Sequence, residues 1–171
     1  MVLGTRPRSI SRPSAEPLKY DDASWHYGGD FPSDLPAEAG ATHIGMFVGW
    51  AMLNGLEGEI HTGDFPDDVA KLRRRELTPG AWFIRACDAK FTDEDLSEEG
   101  NAFAQAYYAN DTGLMTGTAS YLADYEFAFR VVDSLYRVPD CWETYDRIAP
   151  TISKRFLRWR NSGSGWRRLF S

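Results

Sequence analysis

The sequence predicts an all-α protein, a single compact helical domain around a central apolar helix at about 36–56. The run IGMFVGWAML at 44–53 is apolar on every side, which is typical of a helix that other elements surround. Towards the C-terminus, apolar residues recur at intervals of three and four, the spacing of one helical face. Few segments show the alternation of apolar and polar residues that half-buried strands have.

The central helix follows a loop, GGDFPSDLP, whose two Gly and two Pro interrupt regular structure. Gly45 and Gly49 are four residues apart, so they lie on one face of the helix. Because neither carries a side chain, we expect a neighbouring helix to approach closely at this face. After the helix we expect a small strand or hairpin at 56–65.

Two shorter helices are expected next. The first spans 65–77, with acidic residues in its first turn and arginines at 73–75 near its end, an order that complements the helix dipole. Thr78 and Pro79 then fit an N-cap followed by proline at the first helical position. They begin a short apolar helix that ends near Cys87.

Three further helices complete the prediction. The acidic stretch TDEDLSEEG at 92–100 leads into a helix ending near Asn110, and a stripe of aromatic and aliphatic residues indicates another over 113–132. Asp140 and Glu143 resemble a capping box at the start of the last helix. Pro150 should kink or divide this helix. Its apolar face is formed by Cys141, Tyr145, Ile148, Ile152, Phe156 and Trp159.

The ends of the chain differ from its body in composition. Residues 1–19 are rich in Pro, Ser and Arg, which predicts a flexible N-terminal arm, and 161–171 are predicted to be a flexible basic tail. The single helical domain spans 20–160. No secretory signal is visible, and the longest apolar run is half the roughly 20 residues that cross a bilayer. We therefore expect a cytoplasmic protein that does not enter the membrane.

Charge is divided unevenly along the chain. Residues 21–147 contain 24 acidic and nine basic residues, whereas 148–171 contain six basic residues and no acidic ones. An acidic body repels phosphates and attracts basic surfaces, so we expect a basic protein partner and no nucleic acid.

The chain has three histidines, and only tertiary folding could bring them together. His26, His43 and His61 lack the close spacing of a metal motif, and no nucleophile elbow, phosphate-binding loop or dinucleotide fingerprint is present. We predict no metal and no cofactor. His43 could pair with Asp30 or Asp22 in the preceding loop, and such a pair serves architecture as well as acid/base chemistry.

Three segments carry a resemblance to a family. YDDASWHYGGDFP, THIGMFVGWAMLNGL and VPDCWETYDRIAPTISKRFLRW together resemble an uncharacterised family of small bacterial proteins, over about 20–160. Proteins similar to these occur near genes for secreted or contact-dependent toxins. The resemblance therefore implies an immunity role.

The leading functional hypothesis is a binding protein, a cytoplasmic immunity protein that neutralises a bacterial toxin by occluding its active site. One alternative is a small hydrolase-like enzyme that uses His43 with Asp30 or His26, and another is a helical adaptor protein. The hypothesis of immunity assigns partner binding to the acidic run, Asp93, Glu94, Asp95, Glu98 and Glu99.

Overall fold

The computed structural model describes residues 16–109 and 119–162, and most of these residues are helical. The α-helices are α1 (Thr42–Leu53), α2 (Pro66–Arg73), α3 (Pro79–Cys87), α4 (Glu98–Tyr107), α5 (Tyr121–Ala128) and α6 (Trp142–Asn161). Two short strands, β1 (Lys19–Asp22) and β2 (Lys90–Thr92), complete the regular structure together with 3₁₀ turns at Ala23–His26, Ala37–Ala41, Asp93–Asp95 and Leu135–Arg137. The expected mainly helical class is confirmed.

Helix α1 is shorter than the predicted helix at 36–56. Pro36 is extended, and a 3₁₀ turn over Ala37–Ala41 precedes the first α-helical residue, Thr42. Every residue of α1 except Leu53 is buried. The helix packs against α3 and α6, which explains why its apolar residues face in all directions.

The predicted close approach at Gly45 and Gly49 is confirmed. A Cβ atom on Gly45 would lie 2.7 Å from the Cα of Gly80, and one on Gly49 would lie 3.1 Å from the Cβ of Pro79. The first turn of α3 therefore rests directly on the backbone of α1. Any side chain at Gly45 would push the two helices apart.

Aromatic side chains fill the space around Phe47 of α1. Its ring centroid lies 4.8 Å from that of Tyr108 and 5.2 Å from that of Tyr121. Phe91 of β2 packs on it at 5.8 Å. The core thus joins α1 to the chain that follows α4, to α5 and to the sheet.

The small antiparallel pair is present, but it is not at 56–65. β1 pairs with β2, with Asp21 opposite Phe91, so the two strands come from distant parts of the sequence. The segment predicted as a strand or hairpin contains a π-helical turn instead, Ile60–Asp64. The sheet fixes the position of the residues that follow β1, because Ala23 N donates to Ala89 O at 3.0 Å.

The C-terminal helix α6 runs without division through Pro150. Proline removes one backbone hydrogen bond, but Ile148 and Ile152 on either side of it are fully buried and hold the helix together. The capping box assigned to Asp140 and Glu143 is wrong. Asp140 instead accepts hydrogen bonds from the backbone N–H groups of Gly80, at 2.8 Å, and Ala81, at 2.9 Å.

Some predictions fall outside the described residues. These are most of the arm at 1–19, most of the tail at 161–171, and the part of the predicted helix over 113–132 that precedes Ala119. The two helices predicted at 65–77 and from Pro79 to Cys87 are present as α2 and α3, and α2 ends at Arg73. No helix among the described residues is long and apolar enough to cross a membrane.

Candidate functional site

Asp21, His26 and His43 converge at one side of the molecule. The Nε2 atom of His26 lies 2.9 Å from Oδ1 of Asp21, and the Nε2 atom of His43 lies 3.9 Å from Oδ2 of the same carboxylate. The two imidazole rings meet edge to face, with centroids 4.6 Å apart. One carboxylate therefore serves both histidines.

The chain turns sharply between Asp21 and His26. Asp22 is the N-cap of the 3₁₀ turn, since its side chain accepts hydrogen bonds from the backbone N–H of Ser24, at 3.0 Å, and from the Ser24 hydroxyl, at 2.7 Å. Ala23 is buried under the turn. This local structure brings His26 back beside the carboxylate at the end of β1.

His43 enters the site from the first turn of α1. It is 2 % exposed, its backbone carbonyl accepts a hydrogen bond from the Tyr121 hydroxyl at 2.6 Å, and its Nδ1 atom has no hydrogen-bond partner among the described residues. Burial, reinforced by the neighbouring His26, lowers the pKa of His43 to about 3. The imidazole of His43 is therefore neutral in the physiological pH range.

Two tyrosine hydroxyls hold the outer atoms of the cluster. Tyr108 donates to Oδ2 of Asp21 at 2.6 Å, and Tyr136 lies 3.0 Å from Nδ1 of His26. Burial opposes ionisation of Asp21, but the hydrogen bonds from His26 and Tyr108 outweigh it and lower the pKa of Asp21. Burial also raises the pKa of Tyr108 well above its usual value, so this hydroxyl keeps its proton.

The cluster lines a cavity of about 200 Å³. Because one water molecule occupies roughly 30 Å³ of liquid, the cavity holds several waters or a small polar ligand. Tyr136 does not line this cavity; it lines a larger, mostly apolar cavity of about 570 Å³, which neither histidine reaches. The residues that line the smaller one are Tyr20, Asp21, His26, His43, Tyr108, Ala109, Tyr121 and Leu122.

Residues 19–138 match the family model described as "Domain of unknown function (DUF7832)". The chain belongs to this family. No curated protein and no solved structure matches the chain. The DUF7832 match includes all five polar residues of the cluster and ends before α6. The predicted membership of an uncharacterised family is confirmed, while the link to toxins stays a prediction.

In this DUF7832 domain the predicted pair of histidines is brought together, but the carboxylate partner differs from the predicted one. Asp30 is exposed and forms no hydrogen bond or ion pair with a histidine within the described parts of the chain. Asp22 bonds Lys19 and Ser24 instead. The carboxylate beside the two histidines is that of Asp21. Successive side chains of a strand point to opposite sides, so of the adjacent Asp21 and Asp22 only one can face the histidines.

The acidic run lies where β2 leads into α4 of the DUF7832 domain. Only Glu94 and Glu98 are exposed. Asp95 is buried and accepts from the backbone N–H of Thr92 at 2.7 Å, and Glu99 pairs with Arg160 at 3.2 Å. Asp93 accepts from Leu18 N at 2.9 Å. The partner-binding role of the run stays a prediction, and it now depends on the two exposed glutamates.

A second cluster contains the third histidine, His61. Its Nε2 atom lies 2.9 Å from Oδ1 of Asp95 and 3.9 Å from Sγ of Cys87. His61 is 1 % exposed, and burial raises the pKa of the Cys87 thiol well above its usual value. The thiol therefore keeps its proton. The Asp95 carboxylate already accepts a hydrogen bond from the backbone N–H of Thr92. This cluster connects the π-helical turn to the end of α3 and to the 3₁₀ turn that follows β2.

Proposed function

We propose that this chain is a small hydrolase-like enzyme whose active site is the cavity built on Asp21, His26 and His43. The observation that carries the proposal is the convergence of one carboxylate and two imidazoles on a cavity with room for water and a small substrate. Ionisable groups in a cleft, with pKa values displaced by burial and by a specific partner, are a recurring property of active sites.

His26 is the general base, and then the general acid, of the proposed hydrolysis. A water molecule gives a proton to the Tyr136 hydroxyl as that hydroxyl passes its own proton to Nδ1 of His26, while Asp21, on Nε2, stabilises the imidazolium that forms. The resulting hydroxide forms a bond to the electrophilic atom of the substrate, and the bond to the leaving group breaks. His26 then returns the proton to the leaving group, so that water is divided between the two products.

The two tyrosines keep the proton-transfer pair in place. Tyr108 occupies one oxygen of Asp21 and leaves the other for His26. The Tyr136 hydroxyl on Nδ1 fixes the orientation of the His26 ring. We expect Tyr136→Phe to lower kcat more than it raises KM, because it disturbs the orientation of the base without removing it.

The test is hydrolysis of a panel of small chromogenic esters and phosphoesters by the full chain. His26→Gln should reduce the rate by about 10²–10⁴, the usual contribution of general acid/base catalysis. His61→Gln is the matched control, since it removes a histidine from the other cluster. Equal activity of both variants, with an unchanged unfolding midpoint for His26→Gln, would refute an active site in this cavity.

His43→Ala is a less direct test. His43 is 2 % exposed, so the substitution leaves a cavity under α1 and lowers stability as well as altering the site. His26 is more exposed, with 23 % of its side-chain surface accessible, and its replacement separates chemistry from folding more clearly.

A second candidate function is the immunity protein expected from the sequence. What favours it is the acidic body of the chain, together with two exposed glutamates, Glu94 in the 3₁₀ turn before α4 and Glu98 in the first turn of α4. On this proposal the chain acts in the cytoplasm, where it binds a basic toxin and occludes its active site.

Co-purification with the product of an adjacent toxin gene tests this candidate. Glu94→Lys with Glu98→Lys should slow association and weaken the complex, increasingly so at low salt. Glu126→Lys with Asp133→Lys makes the same charge change on exposed residues near the end of α5 and serves as the control. Failure of the chain to bind or protect against any adjacent gene product excludes the immunity role.

A further inference from the structure

We propose that Asp21, His26 and His43 bind a divalent first-row transition metal ion of the Zn²⁺ class. The inference deepens the proposed function, on which its catalytic meaning rests, by naming the cofactor of that cavity. The metal site itself stands on the geometry of three side chains and can be tested without any substrate.

The donor atoms are close enough to share one ion. One donor atom from each of Asp21, His26 and His43 lies within 4.8 Å of the others. Two ligands bound tetrahedrally at about 2.1 Å from zinc are about 3.4 Å apart. Nε2 of His26 lies 2.9 Å from Oδ1 of Asp21, and Nε2 of His43 lies 3.9 Å from Oδ2. These distances lie on either side of that value, so small side-chain rotations would convert the cluster to a coordination shell.

His43 supplies the independent observation. It is 2 % exposed, its Nε2 atom faces the Asp21 carboxylate across 3.9 Å without a hydrogen bond, and its Nδ1 atom has no partner among the described residues. A buried polar group that lacks a partner is costly, and here the imidazole lines the cavity. A metal ion bound at Nε2, between His43 and Asp21, would hold the buried ring by the nitrogen that faces the carboxylate.

The outer contacts of His26 and Asp21 are those found around metal ligands. Metal-bound histidines commonly donate the other ring N–H to an oxygen, and metal-bound carboxylates are themselves hydrogen-bonded. Tyr136 lies 3.0 Å from Nδ1 of His26, which leaves Nε2 for the ion. Tyr108 donates to Oδ2 of Asp21 at 2.6 Å.

The donor set selects the class of ion. Two imidazoles and one carboxylate suit zinc and its neighbours, whereas Mg²⁺ and Ca²⁺ prefer shells of oxygen atoms. Three protein ligands beside an open cavity leave at least one coordination position for water, as in catalytic zinc sites.

The metal changes how water is activated. An ion held by Asp21, His26 and His43 would lower the pKa of a water molecule bound to it towards neutrality, and so would supply the nucleophile for hydrolysis. His26 is then a ligand, and its role as a base in the metal-free cluster passes to the ion.

The experiment titrates chelator-stripped full-length protein with Zn²⁺ by calorimetry and with Co²⁺ by visible absorption. One equivalent should bind. Asp21→Asn and His26→Gln should each weaken binding by about 100-fold or more, and Tyr136→Phe by about tenfold. Asp30→Asn, in the same loop, and His61→Gln, in the other cluster, should bind like the parent chain. X-ray absorption of the zinc complex should give nitrogen and oxygen ligands, including two imidazoles, and no sulfur.

Two results would overturn the proposal. The first is no metal binding by the folded parent chain. The second is binding that His61→Gln removes and Asp21→Asn retains, or a sulfur ligand, because either places the ion at His61, Cys87 and Asp95. The absorption measurement needs no variant, so it decides the question even if a substituted chain does not fold. Metal binding without turnover supports the metal site and rejects the hydrolase. Turnover without metal binding supports the hydrolase and rejects the metal site.

Discussion

The imidazole of His26 meets that of His43 edge to face at an interplanar angle of 86°. One ring comes from a turn that follows β1, and the other is buried in the first turn of α1. Their common partner, Asp21, holds the half-buried His26 by a hydrogen bond, but it lies 3.9 Å from Nε2 of the buried His43, too far for a second one. The two histidines therefore differ in environment, although they share a carboxylate.

The burial of His43 predicts a pH dependence of stability in chelator-treated protein. Its pKa is about 3 in the folded chain and about 6.5 when unfolded, so the unfolded state binds more protons between these values. The contribution is complete above pH 6.5 and decreases as the pH falls from 6.5 towards 3. From pH 7.5 to pH 5.0 the free energy of unfolding should fall by about 2 kcal/mol on account of this residue.

Urea unfolding at both pH values checks this prediction. His43→Gln lowers stability at pH 7.5, but it should remove most of the decrease between pH 7.5 and pH 5.0. Asp22, near the site, does not interfere: burial opposes its ionisation, but hydrogen bonds from Lys19 and Ser24 outweigh burial and lower its pKa to about 2. An equal decrease in the variant and the parent chain would contradict a buried, neutral His43.

Gly45→Ala tests the contact between α1 and α3. The new Cβ atom would lie 2.7 Å from the Cα of Gly80 and 2.8 Å from the carbonyl oxygen of Pro79, both backbone atoms that cannot move independently. We expect a loss of about 1–3 kcal/mol in the free energy of unfolding. Gly28→Ala is the control, since nothing lies within 4 Å of its Cβ position, and thermal and urea unfolding of both variants makes the comparison. Equal stability of the two would mean that the helices are not this close.

Elements whose determining residues are neighbours in sequence can be predicted from the sequence. The spacing of Gly45 and Gly49 predicts a close helix contact, because it places both residues on one face of the helix. Thr78 and Pro79 predict the start of α3, because the N-cap and the first helical position are adjacent in sequence.

The sequence fails where a partner comes from far along the chain. Asp140 has the spacing of a capping residue for its own helix, yet its carboxylate caps α3. The same limit applies to the site. His26 and His43 can be proposed from their proximity in sequence, but the choice of Asp21 over Asp30 depends on the pairing of β1 with β2, which no local pattern specifies.

Asp140→Ala should destabilise the protein through α3. The carboxylate accepts from the Thr78 hydroxyl and from two backbone N–H groups that no residue of the helix can satisfy. Loss of an N-cap costs about 0.5–2 kcal/mol, and we expect the upper end because three donors lose one acceptor. Glu126→Ala, which removes an exposed carboxylate from α5, is the control for urea unfolding. If Asp140→Ala behaves like this control, the cap contributes nothing.

An ion pair between Arg155 and Asp124 joins α6 to α5. Arg155 binds Asp124 through two hydrogen bonds of 2.7 Å and 2.8 Å, and Tyr107 donates to the same carboxylate at 2.7 Å. Burial works against the charge of Asp124, but Arg155 and Tyr107 outweigh it and lower the pKa of the carboxyl group. Asp124→Asn should therefore reduce the free energy of unfolding by about 1–2 kcal/mol, since hydrogen bonds to charged groups are stronger than neutral ones.

The matched control is Asp34→Asn. Asp34 also accepts two hydrogen bonds from one guanidinium, that of Arg137, but 65 % of its side-chain surface is exposed, compared with 15 % for Asp124. Because solvent screens an exposed pair, Asp34→Asn should leave the urea midpoint nearly unchanged. Both pairs are bidentate, so the difference between the variants measures burial together with the hydrogen bond that Tyr107 adds at Asp124. A shift for Asp34→Asn as large as that for Asp124→Asn would contradict this explanation of the contact between α5 and α6.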